Sequence, residues 1–593
     1  MPAQKARAND KTVQQTGWTN ERGQSKRQVY NILDSQLTNE QQSFRPHWQD
    51  ISDNLLPRRL RFYTSDVNKG DRRNQKIIDG SATLAHRTLK SGMQSGVTST
   101  ARPWFRVATS DPGLMKIYAV KIWLDEVTKR LQTMFLRSNL YNSLPTVYGD
   151  MGGFGTGAML IEEDFEDGIR TLPLAVGSYM IANDDKLRVN VFMRKFPFTV
   201  RQLVMKFGKK DPKTGRAMWE MFSQQVRNLW DNSSYETWIN VCHVIQPNME
   251  YDPRRFAGKY RKFSSCYYEE GTTSGSNTNY MMGGADQEKF LRESGYDFFP
   301  VLAPRWEVTG EDVYGTSCPG MDALGDIKQL QKEQKDKAAA IEKGHKPAMV
   351  GPTSMKTSRS SILAGDITYT DEREGMKGFR RAHDIQLDID HLRLDIQDIR
   401  GLISRHFYED LFLMIAQSDR RDFTATEIME RKEEKMVGVA PVMEQINQDL
   451  LDPLIEVGYF VGDSQGLFPP PPPEIQGQQL KVVYESIMHQ MQKQVGIGST
   501  ERFFGFVGGL VKASGSPQIA RRVDFDEGIK DMGERLAINP KILVSDEKLA
   551  EIQEADAQAA RTQQMLAGAE QAGKAAKSFA GANKDIADAQ ATV

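Results

Sequence analysis

The sequence predicts an α+β protein that is mainly helical. Apolar residues recur at steps of three and four along much of the chain, which is the periodicity of an amphipathic helix. A middle stretch, from about residue 158 to 310, instead carries short alternating or apolar runs separated by loops, as strands do. Because 593 residues exceed what one ordinary hydrophobic core holds, we expect several domains.

The first half of the chain divides into a short arm and one large region. Residues 1–27 are polar and have few large apolar side chains, so they are expected to form a flexible arm. Residues 28–320 begin with helical patterns and continue with strands. Helices are predicted over 28–56, where Pro57 ends the helix, over 75–92 and over 116–140. Strands are predicted around 159–161, 189–192, 238–241 and 299–302.

Two long helices are predicted on either side of a small insert. Residues 321–344 contain few helix breakers, residues 345–382 contain prolines and glycines, and residues 383–416 are again helical. In this last helix six apolar residues step by 4, 3, 4, 3 and 4, which is the heptad pattern of helices that pack side by side. Either the chain covers this seam itself or, in a closed ring of identical subunits, a neighbour covers it. The seam residues are Ile385, Ile389, Leu392, Ile396, Ile399 and Ile403.

The last third is predicted to hold shorter helices and a spacer. Residues 417–424 form a break, and 425–502 contain further helices and a run of five prolines, Pro469–Pro473, which is typical of a stiff extended spacer. Residues 503–593 end in a tail rich in alanine and glutamine. The tail has few bulky core residues, so a helix there would be marginal by itself.

Composition excludes several classes of protein. The formal net charge is −1, whereas a protein that wraps DNA by neutralising phosphates is normally basic. Three cysteines without a Cys-x-x-Cys pair argue against a disulfide framework and favour a reducing compartment. The polar N-terminus does not resemble a signal peptide, and no apolar stretch is long enough to span a membrane. We therefore expect the protein to be made and folded in a cytoplasm.

No motif predicts catalysis, a metal site or a cofactor. The glycine-rich stretch GGFGTG at 152–157 lacks the Lys-Ser/Thr of a phosphate-binding loop and lies between a helix and a strand, so it is interpreted as a turn. The Gly-x-Ser-x-Gly match at 462–466 follows a helix and precedes the prolines, so a polar loop is expected there rather than a nucleophile elbow. None of the eight histidines has the spacing of a hydrolytic zinc site.

Three charged groups allow a functional interpretation beside an ordinary one. Asp384, Asp388, Asp395 and Asp398 form an acidic stripe beside the heptad seam, which is either a solvated helix face or the lining of a passage in which DNA slides without sticking. Arg420 and Arg421, followed by Asp422 and Phe423, lie in either an interhelical loop or a loop that touches phosphates. The third group is the basic cluster of arginines at 58, 59, 61, 72 and 73. These arginines either form ordinary surface charge pairs or contact packaged DNA or a partner protein.

Short segments spread over most of the chain resemble the head-to-tail connecting (portal) proteins of short-tailed bacteriophages. Their order and spacing, from about residue 28 to 545, carry the resemblance. The segments are DGSA at 79–82, LKSGM at 89–93, RPWF at 102–105, SNLY at 138–141, GFGTG at 153–157, YGTS at 314–317, DALGDIK at 322–328, TATEIMER at 424–431 and LDPLI at 451–455.

The resemblance implies a ring, usually of twelve subunits, at one vertex of the capsid, with wing, stem, clip and crown regions around a DNA channel. It places the wing at 28–320 and 425–502, the stem helices at 321–344 and 383–416, and the clip at 345–382 with Lys346, Lys356 and Arg359. It likewise places the tunnel loop at 417–424 and the crown at 503–593. The implied partners are a terminase motor, tail adaptor and tail proteins, capsid, scaffolding or internal core proteins, and double-stranded DNA.

Two other classes are weaker alternatives. A nuclease or a terminase large subunit would need clustered carboxylates for metal ions or a phosphate-binding loop, and neither is evident in the sequence. Another phage structural protein, such as a tail adaptor or internal head protein, would differ in not forming a ring with a DNA-sized hole. The sequence thus predicts a structural protein and not an enzyme.

Overall fold

The computed structural model describes residues 24–63, 70, 73–111, 113–210, 217–270, 289–346, 349–350, 380–381, 389–416 and 438–486, together with scattered positions from 488 to 574. The chain divides into two compact units, residues 1–489 and 490–593. Helix and sheet are mixed in the first unit, which confirms the α+β prediction. In the second unit the described positions, among them 503–507 and 509–510, are helical.

The helices of the first unit are α1 (Lys26–Gln42), α2 (Arg45–Asn54), α3 (Ser81–Val97), α4 (Tyr118–Arg137), α5 (Leu140–Phe154), α6 (Val200–Phe207), α7 (Gln224–Asp231), α8 (Pro319–Asp322), α9 (Leu324–His345), α10 (Ile389–His406), α11 (Glu409–Ala416), α12 (Ala440–Ile446) and α13 (Asp452–Ser464). A π-helical turn, Asn447–Leu451, joins α12 to α13, and short 3₁₀ turns span Leu114–Lys116, Gly258–Tyr260 and Pro473–Ile475.

The strands are β1 (Phe105–Thr109), β2 (Met159–Asp164), β3 (Gly168–Pro173), β4 (Tyr179–Asn183), β5 (Val189–Thr199), β6 (Lys209–Lys210), β7 (Ala217–Met218), β8 (Trp238–Pro247), β9 (Phe263–Glu269), β10 (Arg292–Tyr296), β11 (Val301–Leu302), β12 (Met349–Val350), β13 (Arg380–Arg381) and β14 (Leu480–Tyr484). They form a five-stranded sheet in the order β10-β9-β8-β5-β4, a three-stranded sheet in the order β11-β2-β3, and three antiparallel pairs, β1-β14, β6-β7 and β12-β13.

Helices cover both faces of the five-stranded sheet, because the strands carry apolar residues on both sides. Tyr30 and Leu37 of α1 pack with Met193 and Val244 on one face. The opposite face packs against α6 and α7 through a second cluster of buried residues, which includes Val200, Leu203, Phe207, Val226, Val241 and Tyr267. A capping box between Ser25 and Gln28 fixes the start of α1.

The glycine-rich stretch at 152–157 is a helix-to-strand turn, as predicted. Gly155 ends α5 in the left-handed region at φ +84°. A Cβ atom at Gly155 would lie 2.1 Å from the Gly315 carbonyl oxygen, and one at Gly320 would lie 2.2 Å from that of Gly153. The glycines thus allow two backbone segments to pass in direct contact, and this requirement, rather than nucleotide binding, accounts for them.

A buried ion pair joins the strand region to the helices after residue 438. Arg305 donates from Nε to Asp449 Oδ2 at 2.9 Å and from Nη2 to Asp449 Oδ1 at 3.1 Å, and Nη2 also reaches the Leu187 carbonyl oxygen at 2.8 Å. Gln445 donates to the same carboxylate at 2.8 Å. Losing one partner of such a pair costs about 3–5 kcal/mol, because the other charge stays buried. The pair therefore fixes how these two parts meet.

Several predicted boundaries differ from the structure. The four predicted strand sites lie in β2, β5, β8 and at β11, which confirms them. The helix predicted over 28–56 is two helices, and Arg27, placed in the arm, is a buried residue of α1. The single helix predicted over 383–416 breaks after His406, where Tyr408 is left-handed with φ 52°. The predicted loop at 462–466 begins as the last turn of α13.

Candidate functional site

Helices α9 and α10 pack side by side, and α10 also packs against α3. Ile396, Ile399 and Ile403 of α10 are buried inside the single chain. Of the two ways in which the seam could be covered, the structure shows the first at these three positions: the chain itself buries them, and α3 and α9 pack against α10. Leu392 is half-buried, whereas Ile385 and the side chain of Ile389 lie outside the described residues.

One buried carboxylate holds the two helices together. Asp79 lies just before α3 and accepts a hydrogen bond from the Ser81 hydroxyl at 2.5 Å on Oδ1. Its other oxygen, Oδ2, accepts from Gln334 Nε2 of α9 at 2.9 Å and from Arg400 Nη2 of α10 at 2.6 Å. Asp79 thus binds three helices at once, and we call this group of Asp79, Ser81, Gln331, Gln334 and Arg400 the carboxylate clamp.

Gln331 satisfies the backbone of the same turn. Its Oε1 accepts from the backbone N–H groups of Ile78 and Asp79 at 2.6 and 2.8 Å, and its Nε2 donates to the Asp79 carbonyl oxygen at 3.0 Å. Gln331 is buried, so an apolar replacement would leave two donors and one acceptor without partners. The start of α3 is therefore tied to α9 through backbone as well as side-chain bonds.

The electrostatics of the clamp favour the ionised form of Asp79. Burial by itself raises the pKa of a carboxyl group. Here the hydrogen bonds from Ser81 and Arg400, with the charge of Arg400, outweigh burial and hold the pKa of Asp79 below its ordinary value. Asp79 consequently stays charged under physiological conditions, and the clamp stays formed.

The exposed side of α10 is not uniformly acidic. Asp395 and Asp398 of the predicted stripe are exposed, and Asp384 and Asp388 lie outside the described residues. The helix carries three aspartates and three arginines, the latter being Arg393, Arg400 and Arg405. Leu394 and Leu402 are exposed on it as well, 56% and 44%, and Ile341 of α9 is 48% exposed.

A small cavity lies where α10 ends. Its volume is about 210 Å³, and Trp306, Ser317, Pro319, Asp322, Arg405, His406 and Tyr408 line it. Burial raises the pKa of Asp322, although His406 opposes the change. His406 Nε2 of α10 lies 3.4 Å from Asp326 Oδ2 of α9. The left-handed Ser317 and Tyr408 both border this cavity, so the chain turns sharply on two of its sides.

Most of the other predicted site residues lie outside the described part of the chain, but Lys346 and Arg59 can be placed. Arg420, Arg421, Asp422, Phe423, Lys356 and Arg359 lie outside the described residues. Lys346 follows α9 and is exposed. Arg59 of the basic cluster is engaged within the chain: it donates from Nε to buried Asp150 at 2.7 Å and from Nη2 to the Leu174 carbonyl oxygen at 3.2 Å. At this arginine the ordinary interpretation, charge pairing, is the one that the structure supports.

Sequence reasoning missed the clamp. Asp79 and Ser81 stand within the DGSA segment that carried the resemblance, but nothing in the sequence pairs them with residues 250 to 320 positions away. The sequence did offer one signal for the clamp. Gln331 and Gln334 are two polar residues on the inner side of a predicted helix. Among the described residues, no three histidine, cysteine or acidic side chains are grouped to hold a metal ion. No described helix is both long and apolar enough to cross a bilayer.

Comparison with known proteins gives a consistent match over nearly the whole chain. The family model described as "Bacteriophage head to tail connecting protein" matches residues 28–543. The portal protein of Salmonella phage epsilon15 is 42% identical over 545 residues, which cover 92% of this chain and 94% of that protein. The probable portal protein of Bordetella phage BPP-1 is 39% identical over 533 residues, which cover 90% and 91% of the two chains.

The carboxylate clamp predicts a local effect of Asp79→Asn. The amide has one acceptor oxygen, so it cannot receive both the Ser81 bonds and the Gln334 and Arg400 bonds. We expect local opening of α9 and α10 to become easier by about 2 kcal/mol, the cost of losing a hydrogen bond to a charged group. Amide hydrogen exchange in residues 324–345 and 389–406 measures this free energy.

The same measurement has a pH dependence and a control. Because folding lowers the pKa of Asp79, its contribution is present above the unfolded value, about 3.9, and is lost as pH falls through the folded value. The wild-type protein should therefore approach the variant in acid. The control is Asp50→Asn, which removes an exposed ion pair between Asp50 of α2 and Lys328 of α9. It should change the exchange free energy of α9 little, because exposed ion pairs contribute little to stability. Equal exchange in Asp79→Asn and wild type at neutral pH would contradict the clamp.

Proposed function

The chain belongs to the family of bacteriophage head-to-tail connecting proteins, and on that premise we propose that it forms a closed ring at one capsid vertex. Double-stranded DNA enters the capsid through this ring and leaves through it at infection. The ring first docks a terminase motor and later the tail, and it contacts capsid and scaffolding or internal core proteins. It is built in the host cytoplasm and remains in the virion.

The observation that carries the proposal is the pair α9–α10 with the insert between them. The clamp holds the pair together at Gln331 and Gln334 of α9 and Arg400 of α10. Beyond the C-terminal end of α9, β12 and β13 pair antiparallel, Met349 with Arg381 and Val350 with Arg380, so the two ends of the insert return to each other. A helical pair that carries a closed insert is what a stem with a clip requires. We assign the stem to α9 and α10 and the clip to 345–382, including Lys346, Lys356 and Arg359.

The remaining regions follow the same assignment. The wing comprises 28–320 and 425–502, the tunnel loop 417–424, and the crown 503–593. The buried seam residues Ile396, Ile399 and Ile403 are used within the chain, so we assign subunit contacts of the stem to its exposed apolar residues instead. These are Ile341, Leu394 and Leu402. Burying them against a neighbour would remove apolar surface from water.

The mechanism that we propose is passive. Arg400 is paired with Asp79, so the described part of α10 has three aspartates and two further arginines, Arg393 and Arg405. A channel lined by it would attract phosphates little and let DNA slide. Asp384 and Asp388, which precede α10 in the chain, would add two acidic positions to Asp395 and Asp398. ATP hydrolysis belongs to the terminase partner, and the ring itself needs no cofactor.

The test is negative-stain imaging of the purified protein together with native mass determination. We expect closed rings, of about twelve subunits, with a central hole wide enough for a DNA duplex. A monomer or dimer that persists at high protein concentration and in every salt condition would overturn the proposal.

The tunnel-loop assignment predicts an effect of Arg420→Ala combined with Arg421→Ala. Both changes remove phosphate contacts but no ring contact, so rings should form normally while packaging of DNA or its retention changes. The matched control replaces two exposed arginines elsewhere, Arg170→Ala with Arg188→Ala. Packaging assays and the DNA content of purified particles report the result. If the double variant packages and retains DNA as well as the control does, the tunnel-loop assignment is wrong.

A further inference from the structure

The three most exposed large apolar side chains in the described part of the chain lie in only two connections. Met249 is 100% exposed and Phe256 is 87% exposed, and both belong to the connection between β8 and β9. Phe165 is 90% exposed and lies in the turn between β2 and β3. Apolar side chains that protrude this far gain free energy when a partner removes them from water.

The two connections have opposite charge. Residues 248–262, which we call the basic loop, contain five basic and two acidic side chains, a formal charge of +3. Residues 162–167, which we call the acidic turn, contain five carboxylates and no basic residue, a formal charge of −5. Each thus combines a protruding apolar residue with a strong charge of one sign.

The basic loop is held in one shape by its own hydrogen bonds. Asn248 Nδ2 donates to the carbonyl oxygens of Lys259 and Arg261, both at 2.8 Å. The Asp252 backbone N–H donates to the Tyr260 carbonyl oxygen at 3.1 Å. Arg255 and Lys259 lie over the Tyr260 ring at 4.6 and 4.9 Å. A preformed loop loses little conformational entropy when it binds.

The acidic turn is also fixed. Asp164 Oδ1 accepts from the Glu166 backbone N–H at 2.9 Å, and Gly168 closes the turn at φ +86°. Arg137 of α4 donates to the Glu166 carbonyl oxygen at 3.1 Å, so it leaves the Glu166 carboxylate available. Phe165 is therefore presented outward by an ordered backbone.

Much of the charge on both segments lacks an ion partner within the described part of the chain. On the acidic turn, Glu162 pairs with Lys206, whereas no ion pair forms at Glu163 or Glu166. On the basic loop, Arg255 pairs with Asp252 and Arg261 with Asp297, whereas none forms at Arg254 or Lys262. These charges are available to an outside partner.

We propose that the basic loop of one subunit binds the acidic turn of the neighbouring subunit in the ring. The inference rests on the proposed ring. A head-to-tail contact in a closed ring requires every subunit to carry both halves of a complementary pair, and this chain carries both. Apolar side chains at the centre with charged ones around them is the usual composition of such an interface. Opposite potentials also set the register in which neighbours meet.

Nucleic acid is the competing occupant of the basic loop. Basic side chains with interleaved aromatic residues also bind phosphates and stack on bases. That occupant would leave the exposed Phe165 and its surrounding carboxylates without a role, whereas a second copy of the chain accounts for both segments. The experiment separates the two.

The experiment reverses charge on each half and then on both. One variant carries Arg254→Glu with Lys262→Glu, the second carries Glu163→Lys with Glu166→Lys, and the third combines all four changes. The salt concentration at which full-length rings dissociate is measured by native mass spectrometry and sedimentation. We expect rings of each half variant to dissociate at a clearly lower salt concentration than wild-type rings, and rings of the combined variant to recover much of this difference.

The controls distinguish this inference from the proposed ring. Lys129→Glu with Lys186→Glu makes the same charge change on other exposed positions and should leave the rings unchanged. Wild-type protein without rings would contradict the proposed function itself. If the wild type forms rings and the half variants form rings of the same stability, the inference is overturned but the proposed ring is not. The same holds if the combined variant does not restore the stability that the half variants lose. Loss of binding to a DNA duplex in the basic-loop variant, with ring stability unchanged, would assign the loop to nucleic acid and overturn it too.

Discussion

The arrangement of the long helices depends on one ionised carboxylate. Asp79 sits at the start of α3 and receives hydrogen bonds from Ser81, from Gln334 of α9 and from Arg400 of α10. A buried carboxylate is costly unless charged and neutral donors surround it, and here they do. Because these bonds join the start of α3 to the middle of α9 and to the second half of α10, a change in the angle of any of the three helices breaks bonds at Asp79. Long helices that must keep their angle in an assembly need such a fixed base.

Direct backbone contacts and a buried ion pair extend this rigidity. The glycines at 153, 155, 315 and 320 allow the end of α5 to lie against the segment that leads into α8 and α9. Arg305 and Asp449 then join the strand region to the helices after residue 438. Close packing and buried pairs of this kind resist gradual deformation. The stem that we propose is therefore mounted on a stiff body, while its exposed apolar residues are available to neighbours.

The sequence predicted elements better than their contacts. Strands in β2, β5 and β8 followed from short alternating or apolar runs, and the seam of Ile396, Ile399 and Ile403 followed from heptad spacing. Spacing says that a face is buried but not by which chain, and here the chain itself buries it. The break at Tyr408 was missed because no glycine or proline marks it and tertiary contacts impose the left-handed backbone. The clamp was missed because Asp79 and Arg400 are 321 positions apart.

A side-chain-resolution electron microscopy map of the assembled protein would show where α9 and α10 lie and which carboxylate Arg400 contacts. We expect a closed ring in which α9 and α10 of every subunit surround the central hole and Arg400 contacts Asp79 of its own chain. A ring in which α9 and α10 lie at the periphery, or in which Arg400 contacts a carboxylate of the neighbouring subunit instead, would contradict this expectation.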